Sequence, residues 1–252
     1  MTFFNELCFS LYVGILTLNF AFVNFIFSVI SNHLHNFTFF YSIRFYNFLL
    51  NNKISVKGDI NVLDGKPLIF VANHYDGLDF SVLYEVLNNH CGKGLKTIAK
   101  SDLIVPHSLG IISNIINNIF LKAYNLIPYY RGNKESGKEV LKCVYKNINK
   151  NINLLVFPEG ETREGGEIKN FRNGIFIFAE ENNIPIVPIT IYYSTFRGSN
   201  RDTPSELWHW YGNKVYVTIH PKINPGLFED MKTQAFDIIK EQIKMNDSIK
   251  VI

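Results

Sequence analysis

Cysteine is scarce in this chain. Only Cys8, Cys91 and Cys143 occur in 252 residues, with no C-x-x-C and no spacing from which a zinc site could be built. An odd, scattered set argues against a disulfide framework and for a working domain in a reducing compartment. None of the three follows a recognisable strand-end motif, which disfavours a cysteine nucleophile. A serine nucleophile on a strand-to-helix elbow is disfavoured too, because no G-x-S-x-G occurs. Charge of one sign is also in short supply: the formal net charge is +3. That mild excess suits an anionic membrane surface or a phosphorylated substrate, and it is too weak for a nucleic-acid partner.

Charge is missing altogether from residues 8–30, CFSLYVGILTLNFAFVNFIFSVI, where only Asn19 and Asn24 are strongly polar. About 20 apolar residues match the thickness of a bilayer. A second apolar stretch, 37–50, carries only Arg44. A signal peptide would need a basic start, and Glu6 is the only charge before the run. A buried core helix would show a polar face, which this segment nearly lacks. Residues 1–50 are therefore read as a membrane-associated helical segment. One span, or two helices dipping into one leaflet, are both open solutions. No Lys or Arg precedes the run, whereas Arg44, Lys53 and Lys57 follow it. The positive-inside rule then puts the remaining domain, 51–252, on the cytoplasmic side.

What is abundant is apolar surface: 47% of residues are hydrophobic and 15% aromatic. Beyond residue 51 short apolar runs alternate with longer periodic segments. Strands are expected at 68–72, 97–99, 126–130, 153–157, 186–192 and 215–219. Helices are expected at 79–87, 109–123, 135–149, 171–181 and 229–245. This alternation predicts an α/β domain, a mostly parallel mixed sheet flanked by helices.

Four segments could carry chemistry. Asn73-His74-Tyr75-Asp76-Gly77-Leu78-Asp79 follows a buried strand and opens a helix. Sites in open parallel sheets form at such strand ends. Asp79 can fix the His74 tautomer and stabilise its imidazolium, although an Asp there also serves as an ordinary helix cap. Phe157-Pro158-Glu159-Gly160-Glu161-Thr162-Arg163 ends another buried strand. Gly160 permits close backbone approach and Arg163 can pair with phosphate. A charged surface loop is the plainer reading, since Glu164 and Glu167 follow. Ile127-Pro128-Tyr129-Tyr130-Arg131-Gly132 offers Arg131 as a second phosphate clamp. Pro188, within 184–189, lacks a ladder donor and marks an edge, a bulge or a site wall.

Taken in order, these segments resemble the glycerolipid acyltransferase family, which includes the 1-acylglycerol-3-phosphate acyltransferases. Asn73, His74 and Asp79 match its N-H-x4-D block, Arg131 its second block, and Phe157 to Gly160 its F-P-E-G block. Val187-Pro188-Ile189 fits its hydrophobic V-P block, and Phe171-Arg172-Asn173-Gly174 looks like its F-K-x-G segment. One departure is Glu161, which displaces Thr162 and Arg163 by one position from the family pattern. The resemblance implies transfer of a fatty acyl group from acyl coenzyme A or acyl carrier protein to a lysophospholipid hydroxyl. The first-choice acceptor is 1-acylglycerol 3-phosphate; another lyso-lipid, glycerol 3-phosphate or a non-catalytic lipid-binding role are the alternatives. It implies His74 as general base, Asp79 as its partner, and an acceptor held by Arg131, Glu159, Gly160, Thr162, Arg163 and Pro188, with Glu159 binding a hydroxyl or organising the arginines. Membrane lipids are the implied surroundings, and no cofactor or metal is expected.

Overall fold

The computed structural model describes residues 3–58, 67–91, 94–100, 110–129, 134–162, 167–194 and 211–249. The elements run α1 (Phe3–Ile30), α2 (Asn32–Leu49), β1 (Lys53–Lys57), β2 (Ile69–Ala72), α3 (Leu78–Cys91), β3 (Leu95–Lys100), α4 (Gly110–Ala123), β4 (Leu126–Tyr129), α5 (Lys134–Ile148), β5 (Asn153–Val156), α6 (Gly174–Glu181), β6 (Ile186–Tyr193), β7 (Lys214–Ile219) and α7 (Phe228–Ile249).

Uninterrupted apolar runs become central strands. Every residue of β2, β5 and β6 is buried, as expected for strands covered on both faces. The seven strands pair in the order β1-β7-β6-β2-β5-β3-β4. All neighbours are parallel except β6 and β7, so β1 and β7 run against the other five. The sheet is mixed, as the sequence predicts. Strand β1, KISVK, was not among the expected strands; it is short, mostly exposed and lies at the edge.

Period-two alternation splits the core. Phe70, Ala72 and Leu155 point to a layer built on α2 and α3, and Ile69, Val71 and Leu154 to one built on α5, α6 and α7. Asparagine closes four of the helices. Asn51, Asn125, Asn151 and Asn183 all have φ between 52° and 62°. Each follows a helix and precedes a strand, which is where a left-handed residue ends a helix, and Asn tolerates that conformation. These four asparagines thus have a structural use in the turns.

Several helix boundaries differ from expectation, and α3 and α7 each end four residues later, at Cys91 and Ile249. Helix α2 begins at Asn32, well before residue 37. Phe171, Arg172 and Asn173 stay outside α6, because the Arg172 N–H bonds to Pro158 O at 2.9 Å and ties that segment to the loop after β5.

The N-terminal helices are joined to the domain. Helix α1 packs on α2 and α4, and α2 on α3. Phe39, Ile43 and Leu50 enter the core of the sheet domain. Asn47 links α2 to α3: its amide donates to Ser81 O at 3.2 Å and Glu85 Oε2 at 2.7 Å. The opposite surface is apolar and exposed, with Leu11, Ile15, Leu18, Phe22, Val29, Phe37 and Phe48 outward. Among the described residues no helix is long and apolar enough to cross a membrane.

Candidate active site

Strands β6, β2 and β5 lie side by side, and their carboxyl ends bring three segments together. After β2 the ladder with β6 stops at the Ala72–Ile189 pair. Asn73 extends it with its side chain, accepting from Ile191 N at 2.9 Å and donating to Ile191 O at 3.0 Å. This amide is fully buried and matched at both ends, so it clamps the start of the turn.

His74 comes next. Its Nδ1 lies 2.9 Å from Asp79 Oδ2. An ionised carboxylate can only accept, so Nδ1 carries the proton and Nε2 is the basic nitrogen. The imidazole stacks on Phe157 with centroids 4.2 Å apart and planes 19° apart. The ring plane is therefore set by the residue just after β5 and the ring's hydrogen bond by α3.

Asp79 has no solvent exposure. It sits in the first turn of α3, where the helix dipole favours a carboxylate. Oδ2 also accepts from Tyr75 N at 2.5 Å and Asp76 N at 3.0 Å, and Oδ1 from the Tyr193 hydroxyl at 2.7 Å. Burial first, then the facing Asp79 carboxylate, holds the Tyr193 phenol protonated well above its ordinary range. Tyr193 is a fixed donor, and the sequence reading did not single it out. Its position at the last residue of a buried strand beside the site was the available signal.

Glu159 reaches two backbone donors. It is 3% exposed, and its oxygens accept from His74 N at 2.7 Å and Lys169 N at 2.8 Å. It ties the loop after β5 to the backbone of His74. Gly160 has φ +74°, and a β-carbon there would come within 2.5 Å of Arg172 Nε. The Arg172 guanidinium therefore lies directly over the F-P-E-G turn, which the sequence reading had not foreseen. Glu161 faces solvent in an exposed pair with Lys169 at 3.0 Å, and Lys169 Nζ also donates to Thr162 O at 3.3 Å. Thr162 is half-buried.

Of the three readings of Pro188, the structure shows the bulge. Pro188 is buried inside β6, opposite Val71, below the strand ends. Two residues, 187 and 188, face three, 220–222, between the Ile186–Ile223 bridge and the Ile189–Ile219 pair, so Pro188 sits opposite a bulge in the segment after β7. Strand β6 is interior to the sheet, so Pro188 does not mark an edge. Arg131 and Arg163 lie outside the described residues.

A cavity of about 190 Å³ opens beside the His74 turn. Gly77 and Leu78 form one part of its wall; Phe20, Phe39, Ile43 and Phe120 give it an apolar lining from α1, α2 and α4.

The sequence profile of the family described as Acyltransferase matches residues 53–192. This chain belongs to the acyltransferase family. The match spans the His74 turn, the F-P-E-G loop and nearly all of β6. Among curated proteins this chain is similar to human 1-acyl-sn-glycerol-3-phosphate acyltransferase beta, 25% identical over 169 residues, 67% of this chain and 53% of that protein. It is also similar to the chloroplastic LPAT1 enzyme of that name from Arabidopsis thaliana, 26% identical over 194 residues, 77% of this chain and 50% of that one. The Cocos nucifera 1-acyl-sn-glycerol-3-phosphate acyltransferase is 28% identical over 209 residues, 83% of this chain and 58% of its own length. The chain thus spans about half the length of the curated relatives it matches. Its fold is similar to that of the 1-acyl-sn-glycerophosphate (LPA) acyltransferase PlsC from Thermotoga maritima, with TM-score 0.59, 17% identity, and coverage of 94% of this chain and 97% of that one.

Proposed function

We propose that this protein transfers a fatty acyl group from an acyl thioester, of coenzyme A or acyl carrier protein, to the free hydroxyl of 1-acylglycerol 3-phosphate, giving phosphatidic acid. The observation that carries the reading is the His74–Asp79 pair, with Nδ1 committed to the carboxylate and Nε2 basic. Nε2 removes the acceptor's hydroxyl proton as its oxygen attacks the thioester carbonyl. The tetrahedral adduct collapses, the carbon–sulfur bond breaks, and the imidazolium returns the proton to the leaving thiolate. Asp79 stabilises the transient imidazolium. The names of the curated relatives supply the acceptor class.

Arg172, whose guanidinium lies over Gly160, is proposed to meet the acceptor phosphate together with Arg131 and Arg163. The apolar cavity beside Gly77 and Leu78 is proposed to take the donor's acyl chain. Residues 1–50 are proposed to act as the membrane-associated segment and 51–252 as the catalytic domain on the cytoplasmic side. A single span would need a helix that the described residues do not contain. The exposed apolar faces of α1 and α2 instead favour a hairpin lying in one leaflet, beside the site.

The test is thiol release by purified protein from hexadecanoyl coenzyme A and from hexadecanoyl acyl carrier protein, with and without 1-acylglycerol 3-phosphate. Release that requires the acceptor and yields phosphatidic acid is expected. Release independent of acceptor would make the protein a hydrolase. No turnover of either donor would leave a lipid-binding protein.

A further inference from the structure

Helix α4 carries a row of isoleucines along its outer side. Ile111 is 78% exposed and Ile115 is 55% exposed. Ile119, one turn further along the same row, is half-buried. The other sides of the helix are engaged: Ile116, Phe120 and Ala123 pack with Ala21 and Phe25 of α1, and Asn117 and Leu121 are buried. Asn114 and Asn118 flank the row, and it ends at Lys122, which is exposed and is the helix's single charge. About 10 Å of helix separates Ile115 from Lys122. The sheet orients this gradient. Strands β6, β2, β5, β3 and β4 are all parallel, and α4 joins β3 to β4, so it runs back against them. Ile111 and Ile115 are therefore at the carboxyl ends of these strands, where His74 sits, and Lys122 is at the opposite end. Helix α2 reaches the same end. Strand β1 follows it and starts level with Lys214, just beyond the Tyr193–Val215 pair that closes β6. The last two turns of α2 thus put Phe48, 75% exposed, and the exposed Phe45 and Arg44 at the site end.

We infer that α4 enters a lipid leaflet beside the end of α2, with Ile111 and Ile115 among the acyl chains and Lys122 on the side of anionic headgroups, so that the site end of the sheet faces the bilayer. The inference rests on the reading of α1 and α2 as a lipid-facing hairpin. It adds a third element, drawn from the catalytic domain itself. Scattered apolar side chains on a surface need no partner. These are gathered at one end of the molecule by α2 and α4, helices from distant parts of the chain, each with a cation and no acid. That combination is matched to an anionic leaflet. A lipid acceptor then meets His74 from the leaflet in which it lies.

The experiment measures sedimentation of the full chain with vesicles of phosphatidylcholine mixed with phosphatidylglycerol. Ile111→Asp with Ile115→Asp should lower partition by about 100-fold or more, since two side chains lose their apolar burial. Lys122→Gln should lower it about fivefold on these vesicles and leave it unchanged on phosphatidylcholine alone. Ile111→Ser with Ile115→Ser serves if the aspartate variant does not fold, which a melting curve checks. Turnover of detergent-dispersed substrates is expected to hold in every variant. Leu18→Asp with Phe22→Asp, on α1, runs in parallel. Partition lost by the α1 pair but kept by both α4 pairs overturns the inference and leaves the hairpin reading intact. Loss with the α4 pair alone upholds the inference and sinks the hairpin's part in binding. Unchanged partition of the α4 pairs with a shift from dimer to monomer gives this face to a second copy of the chain, and overturns the inference too.

Discussion

Asp79 is a carboxylate with no solvent exposure, and Phe22 on α1 is an apolar ring that is 63% exposed. The turn after β2 and the N-terminal hairpin thus reverse the usual distribution of polar and apolar groups. In the turn, the polar groups are buried and matched: Asn73 by Ile191, Asp79 by His74, Tyr75, Asp76 and Tyr193. Matching of this kind fixes geometry, because any displacement leaves a buried group unpaired. In the hairpin, the inner face of α2 is fused to the core while the outer faces present apolar side chains. A contiguous apolar surface of that kind is suited to a non-aqueous partner. The contrast is between a site built for fixed orientation and a surface built for partition, and each can be broken separately.

The largest expected effect is in the turn. His74→Ala should lower turnover by about 10²- to 10⁴-fold, the usual loss for a general base. The fold should survive, since the ring is partly exposed and Asn73, Asp79 and Tyr193 keep their other partners. Steady-state thiol release with a melting curve checks both points, and near-normal turnover would remove His74 from the mechanism.

The hairpin should answer differently. Leu18→Asp with Phe22→Asp changes two outward residues, at 59% and 63% exposure. Each loses roughly 1.5–3 kcal/mol of apolar burial if those side chains enter lipid. Partition onto anionic vesicles should fall by about 100-fold or more, while turnover of substrates dispersed in detergent should hardly change. Unchanged sedimentation with vesicles would place the membrane contact elsewhere. Deleting residues 1–50 outright is a poorer test, because Phe39, Ile43 and Leu50 leave the core with them and the remainder should aggregate.

Much of this was legible in the sequence. The apolar runs at 68–72, 153–157 and 186–192 were read as strands because uninterrupted burial on two faces leaves no polar alternation to confuse them. The His74–Asp79 pair was legible because both residues flank one short turn. Tyr193 was not, since 114 positions separate it from Asp79 and only the sheet order brings them together. The bonds from Glu159 to the backbone of His74 and Lys169 were not legible, because a carboxylate in a charged segment gives no sign of bonding to backbone. The bulge opposite Pro188 was among the readings the sequence allowed, because a proline lacks a ladder donor; the sequence had no means of choosing it over an edge, since strand order is set by the whole sheet. Strand β1 was missed because a mostly exposed, five-residue edge strand carries almost no hydrophobic pattern.

Tyr193→Phe should sharpen the account of the turn. It removes one hydroxyl and leaves Asp79 Oδ1 with one fewer donor. Asp79 then holds His74 less firmly, so kcat should fall about tenfold, in line with losing one charge-assisted hydrogen bond. Both Michaelis constants should stay close to wild type, because Tyr193 is fully buried behind Asp79 and is not placed to touch substrate. A rise in either Michaelis constant with kcat unchanged would make Tyr193 a packing residue for the pocket.

The smallest effect concerns a buried polar group away from the site. His220 follows β7 in the bulged segment opposite Pro188; its Nε2 lies 2.8 Å from Thr190 Oγ1, and its backbone N–H bonds to Pro188 O at 3.0 Å. Burial lowers its pKa to about 4. The unfolded chain has an ordinary imidazole near 6.5. Between these values the unfolded state binds a proton that the folded state does not, so stability rises with pH through this window. The contribution is fully present above about 6.5 and is lost as pH falls toward 4. The melting temperature should therefore drop as pH is lowered from 7 to 4.5. His220→Gln keeps a hydrogen-bonding group for Thr190 and removes the titration, so its melting temperature should fall less over the same range. Parallel curves for the two proteins would show that other groups carry the acid sensitivity, and that the bulge beneath the site tolerates a charged imidazole.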